Sequence, residues 1–198
     1  GEATGHDWYH IERVWKMAQK IGAKEGADPF VVELGALLHD IADWKFHNDA
    51  AGAKAAEAWL DQFKIDRVTI NHVCDIVNNV SFKGLGQKNR ISTLEGKVVQ
   101  DADRLDTIGA IAIARVFAYG GAKGEPIYHP TDNPESPASS DEYQLAKKTG
   151  SRSTIQHFYD KLLHLKDRLN TSTARKLAIR RHKFMETYLK EFFREWKS

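Results

Sequence analysis

The sequence predicts an all-α fold in a single domain, and three observations support that prediction. Apolar residues recur at helical spacing in nearly every segment, and no segment shows the alternation typical of a half-buried strand. Side chains that cap helix N-termini stand before many of these segments. The 198 residues suffice for one sizeable core, and no repeat or low-complexity tract divides residues 1–198.

The N-terminal half is expected to contain four helices. Asp28 followed by Pro29 is an N-cap with proline at the first helical position, so a helix should carry the apolar run that follows. Asp66 is expected to cap another. The predicted helices run from Thr4 or Asp7 to about residue 22, over residues 30–41, over residues 50–63, and onward from Asp66.

The C-terminal half is expected to contain four more helices around a long loop. Ser92 and Glu95 form a capping box, and the helix they open should end at two glycines. Four of the five prolines lie in residues 122–138, which predicts a lid or binding loop. Arg181 falls on an apolar stripe and must either meet a partner carboxylate or reach the functional site. The predicted helices are residues 92–119, 139–149, 154–169 with Ser153 as the cap, and 172–196 with Thr171 or Ser172 as the cap.

Two polar residues interrupt the most apolar run of the chain. His39 and Asp40 lie at the end of residues 30–41, where an unpaired imidazole or carboxylate would cost several kcal/mol to bury. A divalent cation accepts both imidazole nitrogen and carboxylate oxygen as ligands. The pair therefore predicts the centre of a metal site.

Further ligands are expected from two distant helices. His10 is the best candidate in the first helix. In the stretch from Asp101 to Asp106, the side chains of Asp103 and Asp106 share one helix face, whereas Asp101 points elsewhere. One or two carboxylates should therefore face inward beside a buried helix. The alternative for each of these residues is a hydrogen-bonded polar network within a helical bundle.

Three motifs in this order resemble those of the HD-domain metal-dependent phosphohydrolases, in particular a small bacterial branch. They are His-Asp-Trp-Tyr-His-Ile-Glu-Arg-Val at residues 6–14, Leu-Leu-His-Asp-Ile-Ala-Asp at 37–43, and Asp-Ala-Asp-Arg-Leu-Asp at 101–106. The resemblance covers nearly the whole chain. It implies an HD-type helical bundle in which the metal ligands are His10, His39, Asp40 and Asp103.

The resemblance also implies the cofactor and the substrate class. Two imidazoles and two carboxylates leave about two octahedral positions for water and a phosphate oxygen. Only His47 and His72 lie between the pair and the last Asp, without a His-His pair, so a single ion is expected. Mn²⁺ is favoured over Fe²⁺, Co²⁺, Ni²⁺, Zn²⁺ and Mg²⁺. The expected substrate is a nucleotide, hydrolysed as a triphosphate to release diphosphate, or as a phosphomonoester.

Further residues are candidates for catalysis or substrate binding. Asp43, with Asp40, is expected to position the attacking water, although Asp43 could instead cap a helix end. Arg13 is expected to pair with Asp106, with a substrate phosphate as the alternative partner. The candidate phosphate-binding residues are Arg104, Lys45, Lys83, His157 and Lys161, and each could equally be a surface or structural charge.

Composition excludes several other classes of protein. A net charge of +2 is too small to indicate nucleic-acid binding, and no apolar run has transmembrane length. The single cysteine excludes an internal disulfide, which suits the cytoplasm. A homodimer is left open. The alternatives to an enzyme of this kind are a nucleotide-sensing module that keeps the metal site, and a redox iron pair, which would need more histidines.

Overall fold

Helices account for all regular structure in the computed structural model, which describes residues 7–41, 51–80, 89–132 and 153–198. The predicted all-α fold is confirmed. Within these ranges the helices are α1 Trp8–Glu25, α2 Pro29–Leu38, α3 Ala51–Leu60, α4 Arg67–Asn79, α5 Leu94–Asp106, α6 Ala110–Lys123, α7 Thr154–Asp160, a 3₁₀ helix Leu162–Arg168, and α8 Ser172–Trp196.

The helix starts follow the capping chemistry of the sequence. Each capping side chain accepts a backbone N–H of the first turn, which satisfies a donor that has no partner within the helix. For α5 the cap is Thr93 rather than the predicted Ser92. The predicted caps that the structure confirms are Asp7, Asp28, Asp66, Ser153 and Thr171.

The core forms where α1, α2 and α5 pack against one another, with α4 behind α2. Helix α2 is apolar because it is enclosed by α1, α4 and α5. At Gly35 a Cβ atom would lie only 3.2 Å from Val99 and 3.3 Å from Ile76, so glycine permits the close approach of α2 to α4 and α5. Helix α8 covers α1, α5, α6 and the 3₁₀ helix.

The predicted single helix over residues 92–119 is wrong, because the chain turns by 69° between α5 and α6. Thr107 ends α5 by donating its side-chain hydroxyl to the Arg104 carbonyl, 2.7 Å away. Gly109 has φ +103°, a conformation that a residue with a Cβ rarely adopts. Placing the corner here leaves Asp106 as the last residue of α5.

Other helix boundaries also differ from the predicted ones. Helix α2 ends at Leu38, so His39 and Asp40 lie in the turn that follows it. The predicted helix over residues 154–169 is divided into α7 and the 3₁₀ helix. The predicted helix over residues 139–149 lies outside the described residues. In the described part of the chain no single helix could span a membrane by length and hydrophobicity, although the bent α5–α6 pair passes that test jointly.

Candidate metal centre

Three separate helices bring four predicted ligands together. His10 comes from the first turn of α1, His39 and Asp40 from the turn after α2, and Asp103 from the last turn of α5. The Nε2 atoms of the two histidines are 3.3 Å apart, and an Asp40 oxygen lies 3.5 Å from each of them. An Asp103 oxygen lies 3.7 Å from His10 Nε2 and 4.0 Å from His39 Nε2.

The other ring nitrogen of each histidine is engaged outside the cluster. His39 Nδ1 lies 2.8 Å from the Ala36 carbonyl, and His10 Nδ1 lies 2.8 Å from a carboxylate oxygen of Asp106. A carbonyl and an ionised carboxylate only accept hydrogen bonds, so each Nδ1 donates. In the neutral rings both Nε2 atoms therefore carry lone pairs, and these two lone pairs face each other.

The distances suit one bound cation. Ligands about 2.1 Å from an octahedral ion lie about 3 Å apart when adjacent and about 4.2 Å apart when opposite. The five separations, from 3.3 to 4.0 Å, fall within that span. The facing lone pairs repel unless a positive charge lies between them. His10, His39 and Asp40 each offer a ligand atom within 4.8 Å of the others, which suits a divalent ion, and Asp103 lies outside this group of three although one of its oxygens is 3.7 and 4.0 Å from the two imidazoles.

Asp106 is the charged support of His10. Its carboxylate accepts from Arg13 Nε at 2.7 Å, Arg13 Nη2 at 3.0 Å and Arg115 Nη1 at 2.7 Å, in addition to His10. Although burial opposes ionisation, hydrogen bonds from His10 and Arg13 and the charge of Arg115 hold the pKa of Asp106 well below its usual range. The carboxylate stays ionised and keeps His10 in one tautomer and one orientation.

Asp106 and the two ligand carboxylates also act on the charge of His10. Burial alone would lower the pKa of this imidazole, but hydrogen bonds to Asp106 and Asp40 and the charge of Asp103 raise its pKa to about 9. The cluster therefore binds positive charge strongly, as a proton on His10 or as a cation between the ligands.

Among the four clustered side chains, the carboxylates are partly exposed and the imidazoles are not. The side chains of His10 and His39 are 0% and 1% exposed, whereas those of Asp40 and Asp103 are 15% and 23% exposed. A water molecule or a phosphate oxygen can therefore reach the cluster beside the two carboxylates, while both imidazoles are fixed within the core.

Comparison with known proteins identifies a family whose matched region contains this cluster. The family model described as "HD domain" matches residues 7–108, which include all four clustered side chains and more than half of the chain. The chain belongs to the HD-domain family. The resemblance stated from the three sequence motifs is thereby confirmed.

Relatives of this HD-domain chain extend over its full length. The uncharacterised protein YpgQ of Bacillus subtilis is 41% identical over 194 residues, covering 96% of this chain and 84% of YpgQ. The crystal structure of YpgQ in complex with ADP matches with a TM-score of 0.77 at 39% identity, over 98% of this chain and 91% of that one. An HD-superfamily hydrolase from Bacillus thuringiensis matches with a TM-score of 0.76 at 42% identity, covering 100% and 89%.

The structure gives less support to the candidate substrate-binding residues than to the candidate metal ligands. Arg104 is buried and donates to the Arg168 carbonyl at the end of the 3₁₀ helix, a structural contact that gives no support to its predicted role in phosphate binding. His157 lies in α7, and its carbonyl accepts the backbone N–H of Lys161. The substrate-binding role of these two residues stays a prediction. The predicted residues outside the described ranges are Asp43, Lys45 and Lys83.

Two contacts of the HD-domain site were missed by the sequence reasoning. The predicted Arg13–Asp106 pair is confirmed, but the bond from His10 to Asp106 and the ion pair from Arg115 to Asp106 were not expected. One signal was available for Arg115, a lone cation in the apolar stretch of residues 110–118. The same kind of anomaly, a polar residue in an apolar run, had indicated His39 and Asp40.

Proposed function

We propose that this HD-domain protein is a metal-dependent phosphohydrolase that acts on a nucleotide. The observation that carries the proposal is the approach of two imidazole Nε2 atoms and two carboxylates to one another, with both Nδ1 atoms engaged elsewhere. A purely structural network would set donors against acceptors. With both rings neutral, the groups that face one another here are acceptors, and positive charge stabilises them, either as a proton on His10 or as a bound cation.

His10, His39, Asp40 and Asp103 would hold a single ion. The mixed nitrogen and oxygen donors favour Mn²⁺, with Fe²⁺, Co²⁺, Ni²⁺, Zn²⁺ and Mg²⁺ as alternatives. A divalent ion held there supplies the chemistry that phosphate-ester hydrolysis needs, a more acidic water and a polarised phosphoryl oxygen. Asp106, Arg13 and Arg115 keep His10 aimed at the ion's position, and the apolar wall around both histidines excludes bulk water.

A nucleotide substrate is supported by a relative and by the open side of the site. The structure of YpgQ was solved with ADP, and YpgQ resembles this chain over nearly its whole length. In the proposal, the phosphates approach beside Asp40 and Asp103, where the site is exposed. Lys45, Lys83, His157 and Lys161 hold the phosphates, and Asp43 with Asp40 orients the attacking water. Cleavage between the α- and β-phosphates of a nucleoside triphosphate is favoured over phosphomonoester hydrolysis.

A panel of nucleoside tri-, di- and monophosphates tests the proposal. Each nucleotide is incubated with the protein and Mn²⁺, Mg²⁺, Co²⁺ or Ni²⁺, and the products are identified by ³¹P NMR. We expect hydrolysis of a triphosphate to a monophosphate and diphosphate, with the highest rate in Mn²⁺. Release of inorganic phosphate from a monophosphate would assign the phosphomonoesterase reaction instead.

Asp40→Asn provides the matched loss-of-function variant. It should abolish both turnover and stoichiometric metal binding, because it removes a ligand that lies 3.5 Å from both histidines. Asp75→Asn, the same substitution on the exposed surface of α4, should change neither. A wild-type chain that holds one ion and binds nucleotides without hydrolysing any of them would contradict the enzyme and favour the nucleotide sensor.

A further inference from the structure

A cleft lined by four cations lies beside Asp106. It has a volume of about 270 Å³, and its wall also includes Met17 of α1, Ala102 of α5 and Ile111 of α6. Residues 13, 16 and 20 follow one another along a single face of α1. A cavity of this size is smaller than the sites that hold drug-sized ligands, and it suits a small ion or group. The four cations of the cleft are Arg13, Lys16, Lys20 and Arg181.

The cleft carries more positive charge than its own carboxylates neutralise. Asp106, the carboxylate in its lining, is already shared by His10, Arg13 and Arg115. Lys16 pairs with Glu12 at 2.6 Å. Within the part of the chain that the structure describes, neither Lys20 nor Arg181 has a carboxylate within ion-pair distance. The expectation that Arg181 pairs with a carboxylate is therefore not met there.

Arg181 is a fixed donor rather than a mobile surface arginine. Its stem lies against the α5–α6 corner, where a Cβ on Gly109 would come within 3.0 Å of the Arg181 Cβ. Its Nη1 donates to the Leu105 carbonyl, which leaves Nε and Nη2 for another acceptor. Burial lowers the pKa of this guanidinium, and the negative charge of Asp106 offsets that effect only in part.

Arg13 is fixed in a similar way from the other wall. Its Nε and Nη2 are occupied by the two oxygens of Asp106, so its Nη1 remains for a ligand. Two immobilised guanidinium groups and one lysine therefore border the same small space. Planar guanidinium groups match phosphate oxygens in pairs, and their fixed position reduces the ordering that a ligand must impose.

We propose that this cleft is a second anion site, separate from the metal centre, that binds a diphosphate group through Arg13, Lys20 and Arg181. The diphosphate can be the free inorganic anion or the terminal part of a nucleoside diphosphate, since both present the same oxygens. The site uses none of the four metal ligands, although its Arg13 also pairs with Asp106 behind His10, so its anion can bind whether or not the proposed hydrolysis occurs.

Calorimetric titration of inorganic diphosphate into the full-length chain in EDTA tests this site without metal. We expect one diphosphate per wild-type chain. The double variant Lys20→Gln/Arg181→Gln should bind at least about tenfold more weakly, since it loses charge-assisted hydrogen bonds. The control Arg180→Gln/Lys183→Gln makes the same change of charge at exposed positions of α8 and should bind like wild type. Equal affinity in all three chains, or no binding by wild type, would overturn the proposal.

Three further measurements distinguish this site from the metal centre and identify its ligand. In Asp40→Asn, diphosphate should bind as in wild type; if this variant loses binding and the double variant keeps it, the anion lies at the metal centre and the proposal is wrong. In wild type, diphosphate should shift the side-chain Nε–H NMR signals of Arg13 and Arg181, a readout that does not rely on a folded variant. A parallel titration with ADP distinguishes the sources: equal affinity indicates a nucleotide's diphosphate, and exclusion of ADP indicates the inorganic anion.

Discussion

On one face of α5, Asp101 is fully buried and accepts hydrogen bonds from the backbone and side chains of Asn170 and Thr171. On the other face, Asp103 is 23% exposed and faces two imidazole nitrogens beyond hydrogen-bonding distance. The two residues are of the same type and two positions apart. A carboxylate whose oxygens are occupied by donors holds the fold together, whereas one whose oxygens are left open can bind a cation.

Asp106 stands between these two cases. Its oxygens are occupied, as in Asp101, but one of their partners is a metal-ligand candidate, His10. Asp106 therefore fixes the candidate ligand His10 but does not itself face the metal cluster. The three carboxylates of one short stretch differ in what surrounds them, and substitutions can separate their roles.

Asp101→Asn should have the largest effect on stability, with a decrease of about 3 kcal/mol in the free energy of unfolding. The amide would set its own N–H₂ against the N–H groups of Asn170 and Thr171, which the carboxylate now satisfies. Urea unfolding followed by circular dichroism measures the change. Asp103→Asn is the matched control and should alter stability little. If both variants lose equal stability, the distinction between the two faces fails.

Asp106→Asn should weaken metal binding by about 10- to 100-fold, the range found when a residue behind a metal-ligating histidine is removed. The carboxamide no longer fixes His10 with its proton on Nδ1. Calorimetry with Mn²⁺ measures the affinity, and ¹⁵N NMR of the His10 ring should show a changed tautomer. Asp101→Asn should leave the affinity of the folded chain unchanged. A variant with native affinity and a native tautomer would reduce Asp106 to a purely structural residue.

Glu25→Gln should have the smallest effect on stability. It tests how strongly burial determines the contribution of a carboxylate that accepts hydrogen bonds from the start of α8. Glu25 accepts from Thr173 N–H at 2.7 Å and from the Ser172 hydroxyl at 3.1 Å, at the same start of α8 that Asp101 holds. Hydrogen bonds from Thr173 and Ser172 lower the pKa of Glu25, so its contribution to stability exists at neutral pH and is lost as the pH falls through the carboxyl range.

Thermal melting of wild type and Glu25→Gln across pH measures this contribution. The small difference in Tm at neutral pH should disappear in acid, where both side chains are uncharged. Glu195→Gln, an exposed position near the end of α8, should melt like wild type throughout. A decrease as large as that of Asp101→Asn would show that burial does not separate the two carboxylates.

His39 and Asp40 could be predicted because they break a local pattern, whereas the full ligand set with His10 and Asp103 came from the resemblance to the HD-domain family. His39 and Asp40 interrupt an apolar run, and Asp103 lies in a helix that becomes apolar just beyond it. Helix caps such as Asp28 and Ser153 could also be predicted from local sequence, because capping depends on neighbours within three residues.

The contacts that could not be predicted join residues through tertiary structure. Arg104 was an open choice between solvent and substrate, and its partner is the carbonyl of Arg168, 64 positions away. Arg181 was expected to meet a carboxylate or to reach the functional site, and it meets the Leu105 carbonyl across 76 positions. Backbone carbonyls carry no side-chain signature, so nothing in the sequence marks them as partners. The turn at Gly109 depends in the same way on the packing of α8.

That turn determines how far a side chain must reach. In an unbroken α-helix, residues nine positions apart lie about 13.5 Å apart along the axis and on opposite sides, so residues 106 and 115 could not touch. Because the chain bends by 69°, α6 brings Arg115 back to within 2.7 Å of Asp106. The corner thus supplies a counter-charge from nine residues away, whereas Arg13 and His10 come from 93 and 96 residues away. Closing so short a loop costs little chain entropy. The bend in the backbone therefore gives Asp106 a partner, Arg115, that is close to it in sequence.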